Sequence, residues 1–229
     1  MKKYKYILWD IDDTLTDFSA SEAYSVKKLF RDFGLGECTN EILSRYSKIN
    51  KKYWQNLEAG EMTRPEILVG RFAEFFENEV LDPSISEEFN RAYIQTLGEY
   101  VLLQDGALEI ISATSKLYTT IGVTNGTKTA QIAKLRKSGL DKLFHMLFIS
   151  EDMGCEKPSK EFFDIVFERA GIRDKKEVII IGDSISSDMA GGFGCGIDTC
   201  WYNPNHRENP MNIPVTYAVH KLREVRNII

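Results

Sequence analysis

The chain has 229 residues, of which 43% are hydrophobic and 28% are charged. This is the composition of an ordinary folded protein, and it excludes a disordered chain, a collagen-like chain and a disulfide-stapled miniprotein. The formal net charge of -5 supplies no general attraction for nucleic acid or for an anionic membrane. We therefore expect no nucleic-acid and no membrane partner, and we expect any phosphate-bearing ligand to be held by a local site.

The cysteines and the amino terminus indicate a reducing compartment. Four cysteines and three histidines include no CxxC pair, so a zinc site is not expected. Acidic residues interrupt the first apolar run well short of the roughly 7–15 apolar residues of a secretion signal. No stretch approaches the roughly 20 apolar residues of a membrane helix. We expect a cytoplasmic protein with free thiols.

Short apolar runs rich in β-branched and aromatic residues predict six strands. Several are separated by segments with apolar residues at helical spacing, such as Thr129–Ser138 and Lys160–Ala170. Strands that are apolar throughout and alternate with helices are typical of a parallel sheet covered on both faces. The expected fold class is therefore α/β, with a Rossmann-like parallel sheet at its core. The predicted strands are Tyr6–Trp9, Leu117–Val123, Phe144–Ile149, Val178–Ile181, Thr199–Tyr202 and Thr216–Val219.

The stretch from about Phe18 to Tyr100 interrupts this alternation. Its apolar residues recur at helical spacing, and it contains no good strand candidate. The pattern predicts an all-helical insert after the first strand. We expect residues 17–100 to form this smaller domain, and residues 1–16 and 101–229 to form the core.

Carboxylates follow the first predicted strand in the sequence Asp10-Ile11-Asp12-Asp13-Thr14. The carboxyl ends of the strands are where open parallel sheets bind ligands. A solvated turn rich in carboxylates is the alternative. Three other predicted strands, however, lead to polar residues at the same edge, which unrelated turns do not predict. These segments are Thr124-Asn125-Gly126, Glu156-Lys157-Pro158, and Gly182-Asp183-Ser184 with Asp188.

In this order the four segments resemble the four motifs of the haloacid dehalogenase superfamily, whose members are mostly Mg2+-dependent phosphohydrolases. The resemblance extends from Tyr4 to about Tyr202. It implies the haloacid dehalogenase fold for the core and a C1-type cap for the helical insert. It also implies that Asp10 is the nucleophile and that Asp12 is the general acid and base.

The resemblance implies binding roles for the remaining motif residues. The implied phosphate-binding residues are Thr124, Asn125 and Lys157, the last as the cation that balances the phosphate charge. The implied Mg2+-binding residues are Asp10, Asp12 through its backbone carbonyl, and Asp183, with Ser184 and Asp188 in the outer shell.

Phosphoryl transfer requires these residue types independently of the family. Charge in its transition state lies on the equatorial oxygens, so catalysis depends on positioning and charge neutralisation. Clustered carboxylates alone repel a phosphate, whereas Mg2+ takes oxygen ligands and bridges carboxylates to phosphate. Asp10 would attack phosphorus and form an aspartyl-phosphate. Asp12 would protonate the leaving oxygen and then deprotonate the attacking water.

Further segments are similar to one branch of the superfamily, the bacterial nucleotidases that act on pyrimidine and noncanonical nucleoside monophosphates. Asp13 stands where the commonest pattern has glycine. The carboxylate at Asp12 disfavours a dehalogenase, because the resemblance implies that dehalogenases lack it. The other similar segments are Asn50–Trp54, Gly60, Arg71-Phe72, Ile149–Asp152, Cys200–Asn203 and His206-Arg207.

The expected function is hydrolysis of a small phosphate ester, most simply a nucleoside 5'-monophosphate. The alternatives are a sugar phosphomutase of the β-phosphoglucomutase type, a phosphatase of another small metabolite such as phosphoglycolate, and a non-catalytic sensor of a phosphorylated ligand. Loss of catalysis in a sensor would leave Asp10 or Asp12 free to change, and both are present.

Several residues of the insert could contact the leaving group. Tyr53, Trp54 and Phe72 could stack on a base, and Asn50 or Arg71 could bind its edge or the sugar. Aromatic residues at helical spacing are, however, more often hydrophobic core. We therefore assign substrate selection to the cap as a unit. His206-Arg207 could touch a substrate, but a solvated loop is the expected position for this pair.

Overall fold

The computed structural model of the protein describes residues 3–229. Six strands in this range form one sheet, in the order β3-β2-β1-β4-β5-β6, and every neighbouring pair is parallel. The predicted α/β fold with a parallel sheet is confirmed. The strands are β1 (Tyr6–Trp9), β2 (Thr119–Thr124), β3 (Met146–Ile149), β4 (Val178–Gly182), β5 (Asp198–Tyr202) and β6 (Tyr217–Val219).

The strand order creates a ligand crevice beside β1. The chain places β2 and β3 on one side of β1 and then β4, β5 and β6 on the other. Trp9, the last residue of β1, pairs with Gly122 of β2 and with Ile181 of β4. The chain therefore runs from β1 towards one edge of the sheet and from β4 towards the other. In such sheets the crevice between these two strands, at their carboxyl ends, binds ligands.

The sheet is covered on both faces. Ile7 and Trp9 of β1 belong to one buried hydrophobic cluster, while Leu8 between them belongs to another on the opposite face. Successive side chains of a strand point to opposite faces, so a strand buried on both sides reads as one continuous apolar run. No helix of residues 3–229 has both the length and the apolar character that a membrane span requires.

Helices connect the strands, and four of the longer ones lie between β1 and β2. The last turn of the chain, Leu222–Asn227, is a 3-10 helix, and Ile185–Met189 after β4 is a π-helical turn. The helices of the insert are α1 (Phe18–Asp32), α2 (Asn40–Glu58), α3 (Arg64–Asn78) and α4 (Ser86–Thr96). The other α-helices are α5 (Ala107–Thr114), α6 (Lys128–Ser138), α7 (Ser150–Met153), α8 (Lys160–Arg169) and α9 (Ala190–Cys195).

The insert packs around an aromatic core of its own. Phe72 is fully buried there, with its ring centroid 5.1 Å from Tyr46, 5.0 Å from Phe89 and 5.2 Å from Tyr93. Phe72 is therefore part of the hydrophobic core, as its helical spacing favoured, and it is not free to stack on a base. The stretch 18–100, all of it described, contains helices and no strand. The domain boundaries at residues 17 and 100 remain a prediction.

Candidate active site

Three carboxylates at the carboxyl ends of β1 and β4 form an acidic cluster. Asp10, Asp183 and Asp188 each place a carboxylate oxygen within 4.8 Å of the others. Asp10 directly follows β1 and Asp183 directly follows β4, whereas Asp188 belongs to the π-helical turn beyond β4. The residue at position 182 must be glycine for this approach, because a Cβ on Gly182 would lie 2.2 Å from Asp188 Oδ2.

Lys157 is buried beneath this cluster and joins two of its members. Its Nζ lies 2.7 Å from Asp10 Oδ1, 2.7 Å from Asp188 Oδ1 and 3.0 Å from the carbonyl oxygen of Val123. Burial alone would lower the pKa of Lys157, but the charges of Asp10 and Asp188 raise it above its ordinary value. Lys157 therefore stays a cation at neutral pH.

The loop after β2 fixes the position of Lys157. The Asn125 side chain donates to the Lys157 carbonyl at 2.8 Å and accepts from the Lys157 backbone N–H at 2.9 Å. Thr124 Oγ1 accepts from the Gly126 N–H at 3.1 Å, and Thr124 borders the cavity described below. The structure thus shows Asn125 as an anchor for Lys157. The phosphate-binding roles of Thr124, Asn125 and Lys157 remain predictions.

The acidic cluster fits a divalent metal ion. Burial and the nearby Asp188 charge raise the pKa of Asp10 to about 7, although Lys157 and Thr14 act in the opposite direction. Burial and the charges of Asp10 and Asp188 also raise the pKa of Asp183. Burial and the neighbouring negative charges thus disfavour the ionised form of these carboxylates, a cost that a bound cation would lower. Closely spaced carboxylate oxygens are the kind of ligand that Mg2+ prefers.

Ser184 and Asp188, predicted to lie in the outer shell of the metal, are bonded to each other. The Ser184 N–H donates to Asp188 Oδ2 at 3.1 Å, and Ser184 Oγ accepts from the Ser187 N–H at 3.2 Å. The carboxylate of Asp188 lies within the acidic cluster itself. These bonds hold the π-helical turn in the shape that directs Asp188 towards Lys157.

Asp12 is held separately, by donors from α6 and from the turn after β1. Gln131 Nε2 donates to Asp12 Oδ2 at 2.6 Å, Thr16 Oγ1 donates to Oδ1 at 3.2 Å, and Lys134 Nζ pairs with Oδ1. Gln131 and Lys134 are each 1% exposed, so both donors are fixed by packing. The geometry therefore gives Asp12 a defined orientation apart from the acidic cluster.

Gln131 and Lys134 were not predicted as site residues, because the helical pattern of Thr129–Ser138 was taken from its apolar residues alone. The structure instead buries Ala130, Gln131, Lys134 and Leu135. A glutamine and a lysine three residues apart, next to buried apolar positions, are the signal that would have identified them.

Gly126 leaves the space that Gln131 occupies. A Cβ at this position would lie 2.1 Å from Gln131 Nε2, the atom that donates to Asp12. We expect Gly126→Ala to displace Gln131 and to lower kcat about 10–100-fold, because a shift of about 1 Å near the reacting groups has an effect of that size. Gly194→Ala is the matched control, since a Cβ there meets no atom of the described part of the chain within 4 Å. Equal kcat values for the two variants would contradict this reading.

Two further residues reach the acidic cluster. Thr14 Oγ1 donates to Asp10 Oδ2 at 2.7 Å. Arg207 Nη2 lies 3.0 Å from Asp183 Oδ2 and also donates to the Asp183 carbonyl at 2.7 Å. The expectation that Arg207 lies in a solvated loop is therefore incomplete, because its guanidinium contacts the site from that loop. Its sequence neighbourhood contains no signal for this contact beyond the resemblance already described.

A cavity of about 690 Å³ lies between the sheet edge and the helical insert. This volume is within the range of roughly 300–1,000 Å³ that is usual for small-molecule sites. Its sheet end is lined by Asp10, Asp12, Thr124, Lys157, Asp183 and Asp188. Its insert end is lined by Glu22, Ser47, Asn50, Trp54, Glu58 and Arg71.

Polar contacts from two residues of the insert, Arg64 and Glu58, hold it against the core at this cavity. Arg64, the first residue of α3, donates to the Asn125 carbonyl at 3.0 Å and to Ser150 Oγ at 2.5 Å. Glu58, the last residue of α2, accepts from Ser186 Oγ at 2.5 Å. The insert is thereby attached both to the loop that anchors Lys157 and to the turn that carries Asp188.

The fold agrees with the comparisons to known proteins. The chain belongs to the haloacid dehalogenase-like hydrolases, whose family pattern matches residues 4–196. YfnB of Bacillus subtilis (strain 168) is 38% identical over 100% of this chain and 97% of its own. A crystal structure of YfnB bound to magnesium matches with a TM-score of 0.92 over 99% of both chains.

Two further relatives carry names that state an activity. Pyrimidine 5'-nucleotidase YjjG of Escherichia coli (strain K12) is 32% identical over 99% of this chain and 98% of its own. Pyrimidine 5'-nucleotidase PynA of Streptococcus pneumoniae (strain ATCC BAA-255 / R6) is 31% identical over 97% of this chain and 93% of its own. The resemblance predicted from the four motifs, including that to the nucleotidase branch, is confirmed.

Proposed function

We propose that the protein is a Mg2+-dependent phosphomonoester hydrolase that acts on nucleoside 5'-monophosphates with pyrimidine or noncanonical bases. The observation that carries the proposal is the placement of Asp10 between Lys157 and the other acidic residues, at the sheet end of a cavity that can hold a nucleotide. The names of the two relatives, YjjG and PynA, support the substrate class.

The acidic cluster would hold the metal ion. Asp10 and Asp183 would bind it through carboxylate oxygens and Asp12 through its backbone carbonyl, with Ser184 and Asp188 orienting the set. When bound, Mg2+ neutralises charge on the phosphoryl group during its transfer. The magnesium bound to YfnB supports this choice of ion.

Asp10 is the proposed nucleophile. Lys157 fixes its Oδ1 and Thr14 donates to its Oδ2, so the carboxylate has a defined direction of attack. One oxygen attacks phosphorus, the bond from phosphorus to the ester oxygen breaks, and an aspartyl-phosphate forms. Lys157, Thr124 and Asn125 are proposed to hold the phosphoryl group and to balance its charge.

Asp12 is the proposed general acid and base. It gives a proton to the ester oxygen as the nucleoside leaves. It then takes a proton from the water that attacks the aspartyl-phosphate, and inorganic phosphate and free Asp10 are produced. Gln131 and Lys134 hold Asp12 in place for both proton transfers.

We also propose a cytoplasmic location. All four cysteines are buried and free, which is the state expected of thiols in a reducing compartment.

A phosphate-release assay tests the proposed function. The purified protein with Mg2+ is incubated with UMP, dUMP, dTMP and glucose 1-phosphate, and inorganic phosphate is measured. We expect release from the nucleotides, loss of this activity with EDTA, and recovery when Mg2+ is added in excess. Conversion of glucose 1-phosphate to the 6-phosphate without free phosphate would instead indicate a phosphomutase. Activity that EDTA leaves unchanged would remove the metal from the proposal.

A further inference from the structure

The insert end of the cavity contains a buried polar network that the proposed chemistry does not use. Glu22 of α1, Asn50 of α2 and Arg71 of α3 are only 5%, 3% and 2% exposed. They lie beside the aromatic core of the insert, where a charged side chain is costly unless it is paired. All three residues also border the cavity. The network is therefore positioned to meet a ligand as well as to join the three helices.

Hydrogen bonds run through the network in one direction. Arg71 Nη1 donates to Asn50 Oδ1 at 2.8 Å, and Asn50 Nδ2 donates to Glu22 Oε1 at 2.7 Å. Arg71 Nη2 donates to Asn90 Oδ1 at 3.0 Å. Asn50 thus stands between the two opposite charges, so the network presents a donor at one end and an acceptor at the other.

One donor of this network has no partner among residues 3–229. Arg71 Nε is buried and makes no hydrogen bond within this range. An unsatisfied donor on a charged group is among the more costly buried features, but Nε itself is sealed from the cavity. The donors left for a ligand carbonyl are on the two terminal nitrogens, since Nη1 and Nη2 each make one bond to an amide oxygen and each carry a second N–H. Glu22 has accepting capacity beyond the bonds from Asn50 and Ser47, because an ionised carboxylate offers about four lone-pair sites.

Trp54 supplies a flat apolar surface beside these polar groups. It borders the cavity, and the guanidinium carbon of Arg71 lies 5.9 Å from its ring centroid. An aromatic face next to paired donor and acceptor groups suits a planar heterocycle, because stacking tolerates any ring while hydrogen bonds select its edge.

The charges of the network favour a neutral ligand group. Glu22 and Arg71 cancel each other, and the other two charged side chains of the insert on the cavity wall, Glu58 and Lys51, are again of opposite sign. A second anionic group, such as the carboxylate of phosphoglycolate, would find no excess of positive charge here. The insert end is therefore better matched to an uncharged ring than to an acid.

We propose, on the basis of the proposed nucleotidase function, that Arg71, Asn50, Glu22 and Trp54 form a base subsite for a uracil or thymine ring. Arg71 donates to a ring carbonyl, and Glu22 accepts from the neighbouring ring N3–H. Asn50, which bonds to both side chains, fixes their relative positions, and Trp54 stacks on the ring. The subsite thereby selects nucleotides with an imide edge.

The test compares three substrates in the Mg2+-loaded enzyme: dUMP, N3-methyl-dUMP and 2-deoxyribose 5-phosphate, which lacks the base. Arg71→Met and the isosteric Glu22→Gln are measured with each, and thermal unfolding reports whether they fold. The control is Arg45→Met, which removes a half-exposed arginine of the insert that pairs with Glu79. We expect both subsite variants to lower kcat/KM for dUMP about 10–100-fold, the effect of losing a hydrogen bond to a charged group.

With 2-deoxyribose 5-phosphate, the kcat/KM of the same variants should stay within about threefold of the wild-type value, since this substrate makes no contact with the subsite. N3-methylation should lower kcat/KM at least about tenfold in the wild type and have little further effect in Glu22→Gln. The methylated substrate needs no variant, so the test holds even if Arg71→Met does not fold.

Two outcomes would overturn the base subsite alone. One is an equal loss with dUMP and with 2-deoxyribose 5-phosphate in the variants, which would show a purely structural network. The other is a wild type that hydrolyses dUMP and is indifferent to N3-methylation. If the wild type releases no phosphate from dUMP, the proposed nucleotidase function itself fails, and the base subsite fails with it.

Discussion

Asp10→Asn should abolish turnover, with kcat lowered by about 10⁴-fold or more, as is usual when a covalent nucleophile is removed. The carboxamide is a poor nucleophile, and it also disturbs the local bonds. Asp10 accepts from Lys157 on one oxygen and from Thr14 on the other, so an NH2 group must face one of these donors. Phosphate release from dUMP is the measurement. A second measurement is protein-bound phosphate after rapid acid quenching, which should appear in the wild type only.

Asp82→Asn is the control for this prediction. Asp82 is an exposed aspartate of the insert that likewise accepts on both oxygens, from the backbone and the hydroxyl of Ser84. Asp82→Asn should leave kcat within about twofold of the wild-type value. Thermal unfolding without Mg2+ reports whether Asp10→Asn folds, since the substitution relieves repulsion among the buried carboxylates and also breaks the ion pair with Lys157. Appreciable turnover by a folded Asp10→Asn protein would refute the assignment of the nucleophile.

Asp12→Asn should lower kcat for dUMP by about 10²–10⁴-fold, the usual contribution of a general acid and base. The loss should depend on the leaving group. With p-nitrophenyl phosphate the first step needs little protonation, because nitrophenolate is a good leaving group. The second step still needs a base to activate water. We therefore expect a burst of about one nitrophenol per enzyme, followed by slow turnover, in rapid-mixing experiments.

Lys134→Met should show the same dependence on the leaving group with a smaller loss of activity. We expect kcat for dUMP to fall about tenfold, because Lys134 orients Asp12 and does not transfer the proton. Lys128→Met is the matched control. Lys128 is an exposed residue at the start of the same helix and pairs with Asp152 at 2.9 Å. A loss in Asp12→Asn that is equal for dUMP and p-nitrophenyl phosphate, with no burst, would contradict the acid and base assignment.

The strands and the helical insert could be read from the sequence because their signals are local. Residues such as Ile179, Ile180 and Ile181 form one apolar run because both faces of the sheet are covered. The insert was recognised from apolar residues at helical spacing. The motif residues Asp10 and Asp183 could be placed at one edge because both directly follow parallel strands. These features depend on spacing along the chain and on the rules of sheet topology.

The roles of individual residues in the insert could not be read in the same way. Phe72 and Trp54 belong to the same helical pattern, yet Phe72 is fully buried in the aromatic core while Trp54 borders the cavity. Arg71 lies next to Phe72 in the chain and contacts Asn50 of another helix. Helical spacing identifies a buried face, but the packing of the neighbouring helices decides which part of that face remains open to a ligand.

The sequence by itself determined the α/β class, the helical insert, the polar residues that follow four strands and the resemblance to a hydrolase family. Only the tertiary structure decided which side chains meet. Gln131 contacts Asp12 across 119 residues of chain, and Arg64 contacts Ser150 across 86. Such contacts carry no periodic signal. They arise when α6 packs at the sheet edge and the insert closes over it, and those positions are set by the burial of whole apolar faces.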